Sequence, residues 1–529
     1  MLSRLPRKVL YPLAANSIQG RIAMQSTPPT AAQKLDDEEK IANAKPYTQV
    51  PGPKGYPIIG TLWTLLKNNG FYQKRPHLLF AEYKKTYGPI FKDKIGNMEL
   101  VFISTPEDVA TMFSAEGKYP SKGPVNPWVI YREQRKKPKG VLIGEGEDWR
   151  RSRSVMDKKL LKLKDVSAYS ERINQVITDL IAHIRQKRIT DNRNGELANL
   201  KDALCKWAFE TNNTILFNKR LGAFNDPPTP IAKRFYETVC QMLEVTGQFM
   251  LLPPYYKYIK TKGWKAYCSY WDTLFEIGGK LIEEERNRLS STEINLLNNR
   301  QNKQRTEDLE FLPYVLSRGE LNDEEIASNM IELMMAGVDT TATTILWTLF
   351  ILGKNPDIQD KLYHEVSSVL KDGELPDSQT LQKMPYLRGV IKESQRLYPV
   401  VHATARILDQ DVVLSGYHIP AKTRVLALMH LISRDESIFE EATKIKPERW
   451  IRSSASSQHQ RLPFSIISFG LGPRMCIGRR IAELQMELTI ARLISEFHVD
   501  CRNENEIGAT FSLVASPDQD LQIAFQPRN

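Results

Sequence analysis

The stretch 463–483, PFSIISFGLGPRMCIGRRIAE, constrains this chain more than any other. Phe469, Gly472, Arg474, Cys476 and Gly478 form F-x-x-G-x-R-x-C-x-G. Five fixed residue types at fixed offsets coincide by chance about once in 10⁶ to 10⁷ positions. Glycines on either side of Cys476 let the backbone bend closely around a flat ligand, because glycine enters left-handed conformations without a Cβ penalty. A helix beginning just after Cys476 would aim amide N–H groups and the positive end of its dipole at the sulfur. Such surroundings favour the thiolate, the form of cysteine that binds metal.

The other cysteines offer no competing chemistry. Five Cys in 529 residues, at 205, 240, 268, 476 and 501, contain no C-x-x-C pair, which favours a reducing compartment. A chain this long encloses ample interior for a buried cofactor. The formal charge is +11, from 73 Lys+Arg against 62 Asp+Glu, but the bases are interleaved with acids rather than gathered in blocks. That distribution argues against a nucleic-acid partner. The first acid is Asp36, and Arg4, Arg7, Lys8, Arg21 and Lys34 precede it among Ser, Thr, Ala and Leu. Residues 1–35 thus have the composition of a mitochondrial transit peptide. No run approaches the roughly 18 to 20 uninterrupted apolar residues of a membrane span.

Residues 36–60 follow as a polar linker and a Pro/Gly-rich hinge, VPGPKGYPIIG, and 61–529 as one large folded body. Apolar residues at helical spacing predict helices over 75–87, 106–115, 171–187, 196–218, 232–249, 268–289, 324–353, 356–371 and 478–497. Shorter runs at 91–104, 411–420 and 423–431 predict strands, the first two with Gly-Asn and Ser-Gly turns inside. The fold class is mainly α with a minor β-sheet region. Polar stretches at 291–307 and 453–460 are expected as loops. Segment 248–264, QFMLLPPYYKYIKTKGW, mixes aromatics, Leu and Lys as a membrane-interface segment does.

Three further constellations carry chemistry. Glu393 and Arg396 stand i, i+3 on one helix face, with Arg449 in PERW at 447–450; alone, such a Glu/Arg pair is commonplace. Asp339 and Thr340 sit in the most apolar helical stretch, MMAGVDTTATT, where a carboxylate and a hydroxyl need partners or a purpose. A kink with Thr bonded back to a carbonyl is the structural alternative. Trp149 and Arg153 stand one helical turn apart, an N–H and a guanidinium suited to a carboxylate.

With these motifs the chain resembles the cytochrome P-450 superfamily, the haem-thiolate monooxygenases, from Pro51 to Gln526. The resemblance implies a single haem-enclosing domain, haem b as cofactor and Cys476 as its thiolate ligand and metal-binding residue. A thiolate pushes electron density onto iron and favours O–O cleavage. It also implies that Asp339 and Thr340 deliver protons, with Ala336 and Gly337 leaving room for oxygen and substrate. Trp149, Arg153, Arg406 and Arg474 would hold the haem propionates, Phe469 would pack on the cofactor, and Glu393, Arg396 and Arg449 would form a structural cluster.

Within the superfamily the chain is most similar to the animal mitochondrial branch, and GEGEDWRRSRSVMDKKL, NPWVIYREQR and RMCIGRRIAELQ resemble the vitamin D 24-hydroxylase subgroup and its invertebrate relatives. That implies a sterol, secosteroid or ecdysteroid substrate, with Trp128, Val129, Ala336, Val401, His402 and Val514 lining its pocket. It implies electrons from NADPH through an adrenodoxin-type [2Fe–2S] ferredoxin docking on Arg388, Lys392, Arg479 and Arg480, and a peripheral position on the matrix face of the inner membrane. Two other readings stay open: a haem-thiolate isomerase or synthase needing no external electrons, and a non-catalytic haem- or sterol-binding protein.

Overall fold

A computed structural model describes residues 38–528 except 58, 97, 191–193, 251–252, 290–308, 372, 452–463 and 512. The leader expected at 1–35 and the loops expected at 291–307 and 453–460 lie outside the described residues.

The helices that position the site are α1 (Leu62–Lys74), α2 (Asn126–Arg135), α3 (Gly146–Leu160), α4 (Leu200–Leu216), α5 (Pro230–Met250), α6 (Lys262–Arg288), α7 (Asp323–Lys354), α8 (Pro385–Leu397) and α9 (Arg479–Glu496). Helix α7 starts in a capping box: Asn322 Oδ1 accepts from Glu325 N–H, and Glu325 Oε2 accepts from Asn322 N–H, both at 2.9 Å. Asp323, Glu324 and Glu325 in its first turn suit the positive dipole end. Beyond that turn it is apolar on nearly every face, as a central helix must be. It is long and apolar enough to cross a membrane, yet 78% of its most apolar window is buried inside the protein. Helix α4 packs along it, with Trp207 and Phe209 fully buried.

The main sheet has the order β1-β2-β6-β3, with β1 Ile90–Ile95, β2 Met98–Ile103, β3 Thr404–Ile407 and β6 Arg424–Ala427. β1 and β2 are an antiparallel hairpin, with Ile90 opposite Ile103. β2 runs parallel to β6, with Val101 opposite Val425, which ties the N-terminal part of the body to its C-terminal third. Three two-stranded antiparallel pairs complete the sheets among the described residues: β4–β5 (Val412–Leu414, Tyr417–Ile419), β7–β10 (Phe497–Cys501, Ile523–Pro527) and β8–β9 (Ala509–Phe511, Ala515–Pro517). The Pro/Gly stretch 50–60 is sewn to β1: Lys92 N–H donates to Pro51 O at 2.8 Å, and Gly60 bridges Ile95.

The mainly helical architecture agrees with the periodicity, and the differences have local causes. The strand expected over 423–431 ends at Ala427, and Met429–Ile432 turns into a helix. Residues 38–43, within the expected linker, are helical. Helices α1, α2 and α3 escaped the apolar pattern. In α3, fifteen residues place only Trp149, Val155, Met156 and Leu160 as large apolar side chains, and much of its buried face is polar, with Ser152, Arg153 and Lys159. Strand β3 is four residues long, too short for period-two alternation to register.

Candidate active site

The loop before α9 turns on two glycines in the left-handed region, Gly470 (φ 71°) and Gly472 (φ 70°). Any side chain on Gly472 would also meet Glu116, since a Cβ there would lie 2.0 Å from Glu116 Oε1. Cys476 N–H donates to Phe469 O at 2.8 Å and Met475 N–H to Gly472 O at 3.0 Å, closing the loop on itself. The chain enters α9 through Gly478. The Cys476 side chain is accessible, yet burial is the strongest influence on its thiol and raises its pKa; the Gly478 amide and the charges of Lys122 and Arg153 oppose that rise. Because the charges of Lys122 and Arg153 act on this accessible sulfur, both cations lie near it.

Ala336, Gly337, Asp339 and Thr340 are half-buried in a stretch of α7 whose neighbours are buried. Thr340 Oγ1 donates to Ala336 O at 2.6 Å, the back-bonded geometry. Thr343 Oγ1 donates to Asp339 Oδ1 at 3.2 Å, and Lys201 of α4 holds the same oxygen at 3.5 Å while donating to Ser516 Oγ at 3.0 Å. Gly337 does not simply leave open room: a Cβ there would lie 2.4 Å from Asn212 Nδ2, so the missing side chain admits α4.

A cluster of cations gathers on the Cys476 side of the fold. The Arg474 guanidinium stacks on the Trp149 ring, 3.8 Å from its centroid, and donates to Pro120 O (2.6 Å) and Gly144 O (2.8 Å). Arg406 is paired with Glu116 and donates to Leu471 O at 3.1 Å. Arg153 is buried, 3.9 Å from Asp157. Lys122, which the sequence reading missed, joins them: burial first, then the charges of Arg406 and Arg474, pull its pKa down to about 8. It lies in YPSKGP, a loop with no periodicity to single it out. The Trp149 indole N–H is buried without a partner. Four cations and an orphaned donor, with Glu116, Glu145 and Asp157 as carboxylates beside them, fit a ligand bearing carboxylates.

Glu393 of α8 takes Arg396 Nε at 2.6 Å and Nη2 at 3.0 Å, Arg449 Nε at 3.1 Å, Trp450 Nε1 at 3.2 Å and the Lys446 N–H at 2.9 Å. Arg396 also donates to Ser433 O and Lys444 O, both at 2.9 Å. Both charges of the Glu393–Arg396 pair are fully buried, and they join α8 to the chain ahead of the Cys476 loop.

Among the expected substrate residues, Val129 and Ala336 are half-buried and Val401 is 49% exposed. Trp128 packs between helices: its N–H donates to Thr246 Oγ1 of α5 at 3.1 Å, and its ring stands edge-on to Trp271 of α6. Val514 is buried beside Ala515, whose N–H donates to Val400 O at 2.9 Å. His402 lies 3.7 Å from the Phe511 ring centroid and 5.7 Å from that of His430.

Arg388, Lys392, Arg479 and Arg480 all line one groove of about 1060 Å³, whose floor includes Phe469, Gly472 and Met475. Arg388 donates to Gln382 O at 2.9 Å, and Lys392 lies over the Trp450 ring.

Residues 50–525 match the family model described as Cytochrome P450. The chain is 32% identical over 490 residues to "Cytochrome P450 10" of Lymnaea stagnalis (92% of this chain, 87% of that one). It is 32% identical over 482 residues to the mitochondrial 1,25-dihydroxyvitamin D(3) 24-hydroxylase of Mus musculus (91% and 89%). To the mitochondrial cholesterol side-chain cleavage enzyme of Bos taurus it is 30% identical over 492 residues (92% and 90%).

Proposed function

Because this chain belongs to the cytochrome P450 family of haem-thiolate monooxygenases, we propose that Cys476 binds the haem iron and that the enzyme hydroxylates a sterol, secosteroid or ecdysteroid. Oxygen and NADPH-derived electrons, passed through ferredoxin reductase and an adrenodoxin-type ferredoxin, complete the reaction. The observation that carries this reading is the accessible Cys476 with four cations, Lys122, Arg153, Arg406 and Arg474, and the orphaned Trp149 indole N–H gathered in the same region. The relatives' names point to the substrate class: two of the proteins above act on a secosteroid and on cholesterol.

The haem, when bound, would supply oxygen activation, with the Cys476 thiolate donating electron density to its iron. The protein's own part is binding and proton handling. Trp149 Nε1, Arg153, Lys122, Arg406 and Arg474 would hold the propionates, while Phe469 closes the loop beside Cys476. Asp339 holds and passes a proton, and Thr340 Oγ1 takes it on by rotating away from Ala336 O. The buried Glu393–Arg396–Arg449 cluster anchors the segment 433–450, which precedes the Cys476 loop, against α8. An isomerase reading gains nothing here, since the acid–alcohol pair is present.

The exposed side chains of Met250, Tyr255, Tyr258 and Ile259, together with Trp63, Leu66 and Phe71 of α1, support peripheral membrane contact. Residues 1–35 would direct the protein to the mitochondrial matrix, where this surface would meet the inner membrane. The test is the reduced carbon-monoxide difference spectrum of haem-loaded protein. A strongly red-shifted Soret band that Cys476→Ser abolishes is expected; a folded, haem-loaded protein lacking it would end the proposal.

A further inference from the structure

The groove over the Cys476 loop carries its own counter-charge. Five basic side chains line it, Lys164, Arg388, Lys392, Arg479 and Arg480, beside two carboxylates, Glu483 and Glu487. Glu483 lies one helical turn along α9 from both arginines and engages both. Arg479 Nε is 2.8 Å from its Oε1, and Arg480 Nη1 is 3.4 Å from its Oε2. All three side chains are about one-third exposed, so water and other carboxylates can compete for these pairs. Glu487 stands a further turn along the same face. Burial, its largest influence, raises its carboxyl to about 7; Arg388, Lys392 and Arg480 pull against that rise, and Glu483 adds to it.

We propose that Glu483 and Glu487 are an internal stand-in for the acidic face of the electron donor, exchanged for its carboxylates on docking and therefore weakening the docked complex. The proposal rests on the docking reading above and adds a regulation to it. Before docking, Glu483 holds the two arginines in a fixed fork and lowers the potential of the groove. A partner's carboxylates must share or displace it, so part of their attraction is cancelled by the pairs they break. A carrier that departs after each electron is served by a short-lived complex, and complex lifetime is the property that interface charges of this kind tune. The position suits the task, because Phe469, Gly472 and Met475 of the Cys476 loop line the groove.

The test is the equilibrium affinity of an oxidised adrenodoxin-type [2Fe–2S] ferredoxin for haem-loaded protein, at low and high salt. Glu483→Gln is expected to lower Kd about threefold to fivefold at low salt, the size set by releasing a part-exposed pair. Glu487→Gln, a second and independent variant, moves Kd the same way. The gain fades toward 1 M salt, where the screening length falls to about 3 Å. Unchanged or raised Kd in both variants, with wild-type binding intact, overturns the stand-in role and leaves the docking reading in place. Wild-type protein that shows the carbon-monoxide band yet binds no ferredoxin at any salt overturns the docking reading and this inference with it.

Discussion

The guanidinium of Arg474 lies on the indole of Trp149, 3.8 Å from its centroid, while the indole N–H beneath it has no partner. The stack fixes the ring's plane and so fixes where its N–H points. Replacing Trp149 with Phe keeps a ring under Arg474 while removing the donor together with the volume of the fused ring. Haem loss to excess apomyoglobin is expected to be about tenfold faster, the worth of one hydrogen bond to a charged group. An unchanged loss rate would show that the indole serves packing alone.

Glu393 is fully buried against Arg396 and Arg449. Glu393→Gln leaves two guanidinium groups in the interior without counter-charge, a change that costs about 3–5 kcal/mol. Denaturant unfolding of the haem-loaded protein measures this. A loss below about 1 kcal/mol, the ceiling for surface pairs, would mean that the carbonyls around Arg396 suffice without the carboxylate.

Thr340 donates to its own helix, at Ala336 O, in this structure. If it also handles a proton, Thr340→Ala keeps the red-shifted carbon-monoxide band, because it touches no part of the Cys476 loop, but diverts oxygen from product to peroxide or water. The ratio of product formed to oxygen consumed is the readout, with a severalfold fall expected. A ratio equal to wild type would leave the hydroxyl a purely structural role.

His77 and His430 set an acid limit. Their rings lie 6.0 Å apart near His402 and Phe511, and burial holds their pKa values down to about 4 and about 3 from an ordinary 6.5. Their neutral forms are therefore built into the fold. As pH falls below 6.5 the unfolded chain takes up protons that the native one refuses, so stability declines until pH passes below those folded values. The slope is about 1.4 kcal/mol per pH unit for each histidine in that window. Unfolding free energies of His430→Gln between pH 7 and 4.5 should show a shallower slope than wild type.

How much of this was legible in advance depended on distance along the chain. The Cys476 loop, the Glu393–Arg396 pair and the Trp149–Arg153 pair are local: glycine conformations and helical offsets of three or four residues put their side chains together before any packing is known. The long apolar helices were legible too, because burial on one or all faces writes itself into spacing. These local patterns are enough to call for a mainly helical protein with a thiolate-bearing loop. The tertiary structure decided which solitary residues join those motifs. Lys122 reached the cation cluster, Lys201 reached Asp339, Asn212 occupied the space beside Gly337, and Trp128 turned into the helix packing. None of these contacts has a periodic signature. Each depends on which elements end up adjacent once α4 packs on α7 and the chain closes over the interior, a choice made by summed burial across the whole core rather than by any local motif.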